Sequence, residues 1–318
     1  MRLAVIFNGQ GAHYEAMGMD FLETFEQSQA VFKEAEETTQ LPITMWIESD
    51  INQLTLTKNA QPAIVTTSLA IFESIKTKLP AIAYMAGLSL GEYSSLIASG
   101  ALSFEEGIRL IQQRGELMSA YCSHLEETAN YQMAAVINMP LDEINDVVQK
   151  IVTEQGAELY IANYNSPNQI VIAGDKEAIK AFRQTAKALG YRKVVPLKVE
   201  GPFHTPLMQG VVNDFEQVLA VTEFSQPDIP VISNVTVKEH QLNTIKEQLA
   251  EHLIHPVKWY QTIDFLKDKE ITHVLQIGPG NTLAKLLTKD DSSLPVYVID
   301  TIEDLNGLDE WLNSGGEA

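Results

Sequence analysis

AIAYMAGLSLG, the sequence of residues 81–91, predicts a short buried strand that turns sharply into a helix. The apolar run ends at Gly87, a serine follows two residues later, and a helical pattern continues from Gly91 to Ala98. A serine between two glycines at such a turn is typical of a nucleophile elbow, where tight backbone packing excludes larger side chains. A glycine-rich turn with a passive serine gives the same pattern, so the rest of the chain has to decide between the two.

Apolar strands alternate with amphipathic helices on both sides of this turn. Strands are predicted at Leu3–Phe7 and Thr272–Ile277, and long helices at Gln61–Lys78 and Phe104–Tyr121. Residues Thr57–Asn59 are predicted to form a turn before the first of these helices. This alternation favours an α/β fold with a parallel sheet.

The middle of the chain has a different order of elements. Residues 128–198 predict the order β-α-β-β-α-β, with Leu141–Gln155 and Lys176–Leu189 as the two helices. This is the order of a ferredoxin-like fold. Because α/β alternation resumes afterwards, we expect a ferredoxin-like small subdomain at 128–198, inserted into a large α/β subdomain that consists of residues 1–127 and 199–318.

The composition is that of an acidic globular protein. Of its 318 residues, 22 are Lys or Arg and 42 are Asp or Glu, which gives a formal net charge of −20. This charge argues against nucleic acid and against an anionic membrane surface as partners. The one cysteine, Cys122, excludes an intrachain disulfide and fits a reducing compartment. Since no apolar run reaches the ~18 residues that span a membrane, we expect a cytoplasmic location.

A serine nucleophile needs a base, and the chain contains seven histidines. His204 lies in GPFHTP (201–206), between a predicted strand and a predicted helix, where a loop can present it over the edge of a sheet. His240 lies in a polar stretch, and we expect it to be a solvated surface residue. A loop histidine alone is more often a bystander than a base, so His204 is a candidate only.

Two further groups are candidates for binding negative charge. NGQG (8–11) ends the first strand, at the same sheet edge as Ser89 if the strands are parallel, and its amides are candidate oxyanion donors. A simple flexible loop is an equal alternative. Arg114 lies on an otherwise uncharged turn of its helix, where a surface ion pair with Glu105 or Glu116 is the alternative to ligand binding.

Short motifs follow one another along almost the whole chain. They are FNGQGA (7–12), TKNAQP (57–62), GLSLGEYS (87–94), RG (114–115) with Met118, MAAV (133–136), ANYNSP (162–167), IAG (172–174), GPFH (201–204), SNVT (233–236), PVKW (256–259) and IGPG (277–280). Each motif alone is unremarkable, but their order and spacing together are highly specific. In these motifs the chain resembles the malonyl-CoA:acyl carrier protein transacylases.

The resemblance implies a fold and a set of roles. The family has an α/β-hydrolase-like body with a ferredoxin-like insertion, which is the arrangement predicted above. Ser89 matches the nucleophile, His204 its base, and Arg114 the residue that binds the malonyl carboxylate. The other matches are the amides of Gln10 and Leu90 as the oxyanion hole, the main-chain carbonyl of His252 as the group that orients the base, and Met118, Phe203 and Asn165 as substrate-binding residues.

Five positions depart from the family's pattern, and none of them removes a catalytic group. Leu88 stands where many members have histidine, Asn8 where proline or alanine is usual, and Glu200 where serine is common. Gln276 and Asn281 replace a usual glutamate and lysine around the IGPG motif. Leu88 and Glu200 leave the shape of the pocket open.

The implied reaction is ping-pong transfer of malonyl from malonyl-CoA to the phosphopantetheine thiol of acyl carrier protein through malonyl-Ser89, without a permanently bound cofactor or metal. Phe203, next to the base, would exclude an α-methyl group, unless it serves only core packing. A serine hydrolase or thioesterase, which would release free acid without a thiol acceptor, stays open. So does a non-catalytic carrier-protein-binding subunit. The pathway is fatty acid synthesis or, as the acyltransferase component of a polyketide synthase, polyketide synthesis.

The positive charge of this acidic chain is concentrated in one segment. Residues 176–198 contain seven Lys or Arg residues and one acidic residue, so the segment carries a net charge of +6. A solvated helix face is the usual explanation of such a run. We favour a docking edge for CoA phosphates and acyl carrier protein, in which Arg192 and Lys193 are the best candidates.

Overall fold

The structure, a computed structural model, describes residues 1–289 and 294–313. Within these residues the strands form one parallel and one antiparallel sheet. The strands are β1 Leu3–Phe7, β2 Ile82–Gly87, β3 Tyr131–Ile137, β4 Leu159–Ser166, β5 Gln169–Asp175, β6 Val194–Pro196, β7 His273–Ile277 and β8 Val296–Ile299.

Helices surround both sheets. In the described residues they are α1 Met19–Thr24, α2 Glu26–Thr39, α3 Ile43–Ser49, α4 Ile51–Leu54, α5 Thr57–Ile75, α6 Leu90–Ala98, α7 Phe104–Thr128, α8 Leu141–Gln155, α9 Lys176–Ala188, α10 Gln209–Val221, α11 Ile245–Glu251, α12 Trp259–Asp268, α13 Thr282–Lys289 and α14 Leu308–Asn313.

The parallel sheet has the strand order β2-β1-β7-β8. All five residues of β1 are apolar and buried, because helices cover the sheet on both faces. Leu3, Val5 and Phe7 pack into one apolar core, and Ala4 and Ile6 into another on the opposite face. The register pairs the last residue of β1 with the last residue of β2, so the loops after these two strands meet at one sheet edge.

The antiparallel sheet has the strand order β4-β5-β3-β6. The predicted order β-α-β-β-α-β is confirmed. Helices α8 and α9 bury their apolar stripes, with Ile144, Ile151 and Phe182 among them, in a core that these elements share with the sheet. Two contacts join this sheet to the segment before α12: the amide of Tyr164 donates to the carbonyl of Val257, and that of Val257 to the carbonyl of Ala162.

One local prediction was wrong. Thr57–Asn59 is not a turn, because these residues form the first turn of α5. Pro62 therefore lies inside the helix, one turn further from the helix start than the sequence indicated. No helix in the described ranges is long and apolar enough to cross a membrane.

Candidate active site

The turn between β2 and α6 holds Ser89 in a strained backbone conformation. Its φ is 54° and its ψ −104°, in a region that residues other than glycine rarely adopt. A Cβ atom on Gly87 would overlap the backbone of Gly91, and one on Gly91 would overlap the carbonyl of Phe7. The two glycines are therefore required for the close packing of strand, turn and helix, as a nucleophile elbow needs.

Asn234 holds this turn at both ends. Its side-chain oxygen accepts the backbone N–H of Ser89 at 2.7 Å, and its side-chain nitrogen donates to the carbonyl of Gly87 at 2.8 Å. The sequence marked Asn234 as part of a motif but did not indicate what it does. Only the folded chain brings a residue 145 positions away against the elbow.

His204 lies against the hydroxyl of Ser89, with Nε2 2.7 Å from Oγ. Its Nδ1 lies 2.8 Å from the carbonyl oxygen of His252. Because that carbonyl can only accept, the proton of the neutral ring is on Nδ1 and Nε2 is free to take a proton. Burial, together with the charge of Arg114, lowers the pKa of His204 to about 4, although the bond to the His252 carbonyl opposes this shift.

The two amides predicted as oxyanion donors belong to the two segments that follow β1 and β2, which end at the same sheet edge. Leu90 is the first residue of α6, and the N–H groups of a first helical turn have no acceptor within their own helix. Gln10 lies in the loop after β1, the parallel neighbour of β2. The side-chain nitrogen of Gln10 donates to the hydroxyl of Thr57 at 2.9 Å, which anchors that loop to the start of α5.

Arg114 is buried, with 1% of its surface exposed. Its Nη1 donates to Oε1 of Gln61 at 2.7 Å, and its Cζ lies 5.0 Å from the centre of the Tyr93 ring. Its Nε and Nη2 are buried without a hydrogen-bond partner. The alternative of a surface ion pair is wrong for Arg114; Arg109 makes that contact, with Glu105 at 2.7 Å.

The side of the guanidinium that carries Nε and Nη2 is the edge that binds a carboxylate through two parallel hydrogen bonds. Gln61 holds the opposite edge, and its own Nε2 donates to the sulfur of Met118 at 3.6 Å. Arg114 is thus positioned by neutral groups, and no acidic side chain among its described contacts neutralises its positive charge. Gln61 was quoted only as part of a motif, and the sequence carried no signal for this contact.

The other proposed substrate contacts lie in two places. Met118 and Phe203 are buried in the main apolar core, and Phe203 directly precedes His204. Asn165 is half-buried and lines a separate cavity of about 100 Å³ beside Trp259 and Tyr260. The described lining of that cavity does not include Ser89, His204 or Arg114.

The prediction that His240 is solvated was wrong. His240 is 1% exposed, and its Nε2 donates to Oε1 of Glu92 at 2.6 Å. The sequence neighbours of His240 are polar, but they do not indicate that Glu92 on α6 packs against its ring. Glu92, which lies one turn after Ser89 on α6, was not singled out in the sequence at all.

Two departures from the family's pattern act together at the turn after β7. The side-chain nitrogen of Asn8 donates to the carbonyl of Pro279 at 2.7 Å, and its oxygen accepts the amide of Leu283. Gln276 bridges the same turn, from the carbonyl of Gly280 to the amide of Ala284. Both amides belong to the first turn of α13, so the two side chains cap that helix.

Glu200 joins the helices α5 and α7. Its Oε1 accepts the amide of Thr57 at 2.7 Å, at the start of α5, and its Oε2 accepts the hydroxyl of Ser119 on α7 at 2.8 Å. A carboxylate is stabilised there by the positive end of the helix dipole. Thr57 is also the residue that binds Gln10, so Glu200 supports the loop after β1 at one remove.

Arg192 and Lys193 lie just before β6 and are both exposed. Among the described residues, no group of three or more His, Cys, Asp or Glu side chains is arranged to hold a metal ion.

Comparison with known proteins identifies the family of the chain. The acyl transferase domain family matches residues 5–299. The malonyl CoA-acyl carrier protein transacylase of Bacillus subtilis (strain 168) is 36% identical over 307 residues, which cover 95% of each chain. The chain belongs to the malonyl-CoA:acyl carrier protein transacylases, a family of acyltransferases.

Solved structures of the family superpose on nearly the full length. The transacylase of Clostridium perfringens has a TM-score of 0.91 at 30% identity and covers 99% of this chain and 98% of its own. A malonyl-transacylase in complex with its type II polyketide synthase acyl carrier protein has a TM-score of 0.90 at 31% identity and covers 96% and 98%. The α/β arrangement with a parallel and an antiparallel sheet is therefore that of the transacylase family.

Proposed function

We propose that this protein transfers the malonyl group from malonyl-CoA to the phosphopantetheine thiol of acyl carrier protein through a malonyl ester on Ser89. One observation carries the proposal: a serine–histidine pair at 2.7 Å shares a buried site with Arg114, whose open edge fits a carboxylate. A hydrolase of simple esters has no use for that buried cation.

In the first half-reaction, His204 accepts the proton of Ser89 through Nε2 while Oγ attacks the thioester carbonyl. The amides of Gln10 and Leu90 stabilise the oxyanion of the tetrahedral intermediate. The C–S bond then breaks, and the CoA thiol leaves with the proton that His204 held. The product is malonyl-Ser89.

In the second half-reaction, the thiol of the phosphopantetheine arm enters the position that CoA left. His204 takes the thiol proton, and the sulfur attacks the ester carbonyl. When the intermediate collapses, the C–O bond to Ser89 breaks and Oγ recovers its proton from His204. The enzyme returns to its starting state, so no resident cofactor or metal ion is needed.

A main-chain carbonyl takes the place of the triad aspartate. The carbonyl of His252 holds Nδ1–H of His204 at 2.8 Å, which selects the tautomer that a general base requires. A histidine at position 252 is compatible with this role because the contact is made by the backbone and not by the ring.

Arg114 gives the selectivity for malonyl. A bound malonyl carboxylate would take up both free donors of the guanidinium, whereas an acetyl group would leave a buried charge unpaired. Met118 lies beside Gln61, and we propose that Phe203, next to His204, excludes an α-methyl group. Malonyl is thus preferred over both acetyl and methylmalonyl.

We propose that the route to the site is basic. Arg192 and Lys193 are exposed on the segment of residues 176–198, which carries the chain's concentrated positive charge. We propose that they receive the phosphates of CoA and the acidic surface of acyl carrier protein. Asn165, which lines the separate cavity beside Trp259, is proposed as a further substrate contact.

We propose a division of the chain into two subdomains. We assign residues 1–127 and 199–318 to an α/β-hydrolase-like catalytic subdomain and residues 128–198 to a ferredoxin-like small subdomain. The strand order of the antiparallel sheet supports the second assignment. We place the enzyme in the cytoplasm, in fatty acid synthesis.

Intact-mass measurement tests the function. After mixing with malonyl-CoA, we expect a malonyl adduct that persists until holo acyl carrier protein is added, and no adduct on Ser89→Ala. Rapid release of free malonate without a thiol acceptor would instead identify a hydrolase. The absence of both adduct and malonate would leave only a carrier-protein-binding subunit. Comparing carrier proteins of fatty acid and of polyketide synthesis as acceptors decides the pathway.

A further inference from the structure

Glu92 is a buried carboxylate for which the reaction above has no use. It is 1% exposed, and among the described residues no other aspartate or glutamate is buried. Burying a carboxylate is costly unless hydrogen bonds compensate for the lost water. Glu92 lies on α6, one turn after the nucleophile, and its two oxygens contact three groups from three other segments.

One of these contacts leads to the nucleophile. Oε2 of Glu92 accepts the backbone amide of Asn234 at 3.1 Å. The side chain of Asn234 in turn holds both ends of the elbow, at Ser89 and Gly87. Through this contact, the carboxylate fixes the backbone position of Asn234. The Asn234 side chain in turn holds the turn that presents Oγ of Ser89.

A second contact leads to the base. Nδ1 of His252 lies 3.4 Å from Oε2 of Glu92, a packing contact between two buried side chains that does not form a hydrogen bond. The His252 ring stacks on the His204 ring, with the centres 4.9 Å apart and the planes inclined by 28°, and the His252 carbonyl holds Nδ1 of His204. Glu92 therefore packs against the ring of His252, the residue whose carbonyl and ring both contact the base.

The third contact anchors the carboxylate itself. Nε2 of His240 donates to Oε1 of Glu92 at 2.6 Å, and the amide of His240 donates to the carbonyl of Val231. Val231 lies on the segment that bridges β2 and continues to Asn234. His240 thus ties Glu92 to the same segment that carries the Asn234 side chain.

Strain explains why such an anchor is required. Ser89 has a φ of 54° and His204 a φ of 61°, both in the left-handed region, where a side chain costs energy. Such conformations persist only where the surroundings hold them in place. The two strained residues have to keep Oγ and Nε2 within 2.7 Å, and they lie on segments 115 positions apart.

We propose that Glu92 is a positioning residue that keeps Ser89 and His204 in register for proton transfer, by holding Asn234 on one side and His252 on the other. This inference rests on the proposed function of Ser89 and His204. It adds a buried Glu92–His240 pair to the catalytic apparatus, without contact between Glu92 and the reacting atoms.

Glu92→Gln tests the proposal with almost no change of shape. A carboxylate accepts with both oxygens, whereas an amide has one oxygen and one donor group. The amide nitrogen of the glutamine would face Nε2–H of His240, so that two donors meet. If the His240 ring switched tautomer instead, its Nδ1–H would have no acceptor, because Nδ1 is buried without a partner. Either arrangement leaves a buried donor unsatisfied and displaces the network.

The measurement is the single-turnover rate of malonyl-Ser89 formation at varied malonyl-CoA concentration. We expect the maximal rate of Glu92→Gln to fall about 10- to 100-fold, since displacements of about 1 Å cost this much. The half-saturating concentration should stay within twofold, because Arg114 and Gln61 are outside the network. Ile97→Val, on the same helix, is the control for a small loss of packing and should keep the wild-type rate.

Three results would overturn the role of Glu92. The first is a folded Glu92→Gln variant with the wild-type maximal rate, and the second is one whose only change is a higher half-saturating concentration. The third comes from His252→Ala, which removes the ring and keeps the carbonyl. A wild-type maximal rate of this variant would refute the route through His252, and the test can be made even if Glu92→Gln does not fold. Absence of a malonyl adduct on the wild type would refute the proposed function instead.

Discussion

Replacing Arg114 by alanine is the most direct test of how malonyl is selected. The guanidinium is 1% exposed, Gln61 uses Nη1, and Nε and Nη2 are left for the substrate carboxylate. A hydrogen bond to a charged group contributes about 1.5–3 kcal/mol, so two such bonds are worth about 3–6 kcal/mol. At about 1.4 kcal/mol per factor of ten, kcat/KM for malonyl-CoA should fall about 10²- to 10⁴-fold.

Acetyl-CoA should respond in the opposite direction or not at all. It makes no bond to Arg114, and the alanine variant removes a buried charge that acetyl leaves unpaired. The assay is competition between malonyl-CoA and acetyl-CoA for Ser89, followed by intact mass. Wild-type protein should carry malonyl almost exclusively, and Arg114→Ala should lose that preference.

Arg109 provides the matched control, because it lies on the same helix and pairs with Glu105 in solvent. Such exposed pairs contribute little, so Arg109→Ala should keep both the rate and the malonyl preference. If Arg114→Ala kept the malonyl-to-acetyl ratio within about threefold of wild type, the bidentate contact would be refuted.

Three further outcomes follow from the site. Burial and the charge of Arg114 lower the pKa of His204 to about 4, and only the neutral ring can accept a proton. Ser89 acylation should therefore stay near its maximum on acidification to about pH 5 and fall through about pH 4. A midpoint near 6.5, the ordinary value of histidine, would contradict this argument. Glu200→Ala frees Thr57 and hence the Gln10 loop, and should slow acylation about tenfold, less than the ~10²–10³ for loss of an oxyanion donor; an unchanged rate would show that the loop holds itself. Reversing the charges of Arg192 and Lys193 should raise KM for acyl carrier protein or CoA, and the increase should be larger at low than at high salt. The control is the same double reversal at Lys33 and Lys76, which form exposed ion pairs, and it should leave KM unchanged.

Elements with a strong local pattern were predictable from the chain. Leu141–Gln155 was predicted with the bounds that the structure has, because its apolar residues recur at the helical period. The sharp turn at Ser89 was equally visible, since two glycines flank a serine between a buried strand and a helix. The first turn of α5 was missed because Thr57–Asn59 carries polar side chains that are typical of a turn, although Thr57 and Asn59 are buried in the structure.

The amino-acid sequence by itself determined the alternation of strands and helices, the elbow and the family resemblance, because these depend on local pattern and on motif order. Only the tertiary structure decided that His240 is buried against Glu92, that Asn234 holds the elbow, and that Gln61 occupies one edge of Arg114. Each of these contacts joins residues more than 50 positions apart. The partner of a buried polar group is chosen by which segments the fold brings together, and no local pattern in the chain records that choice.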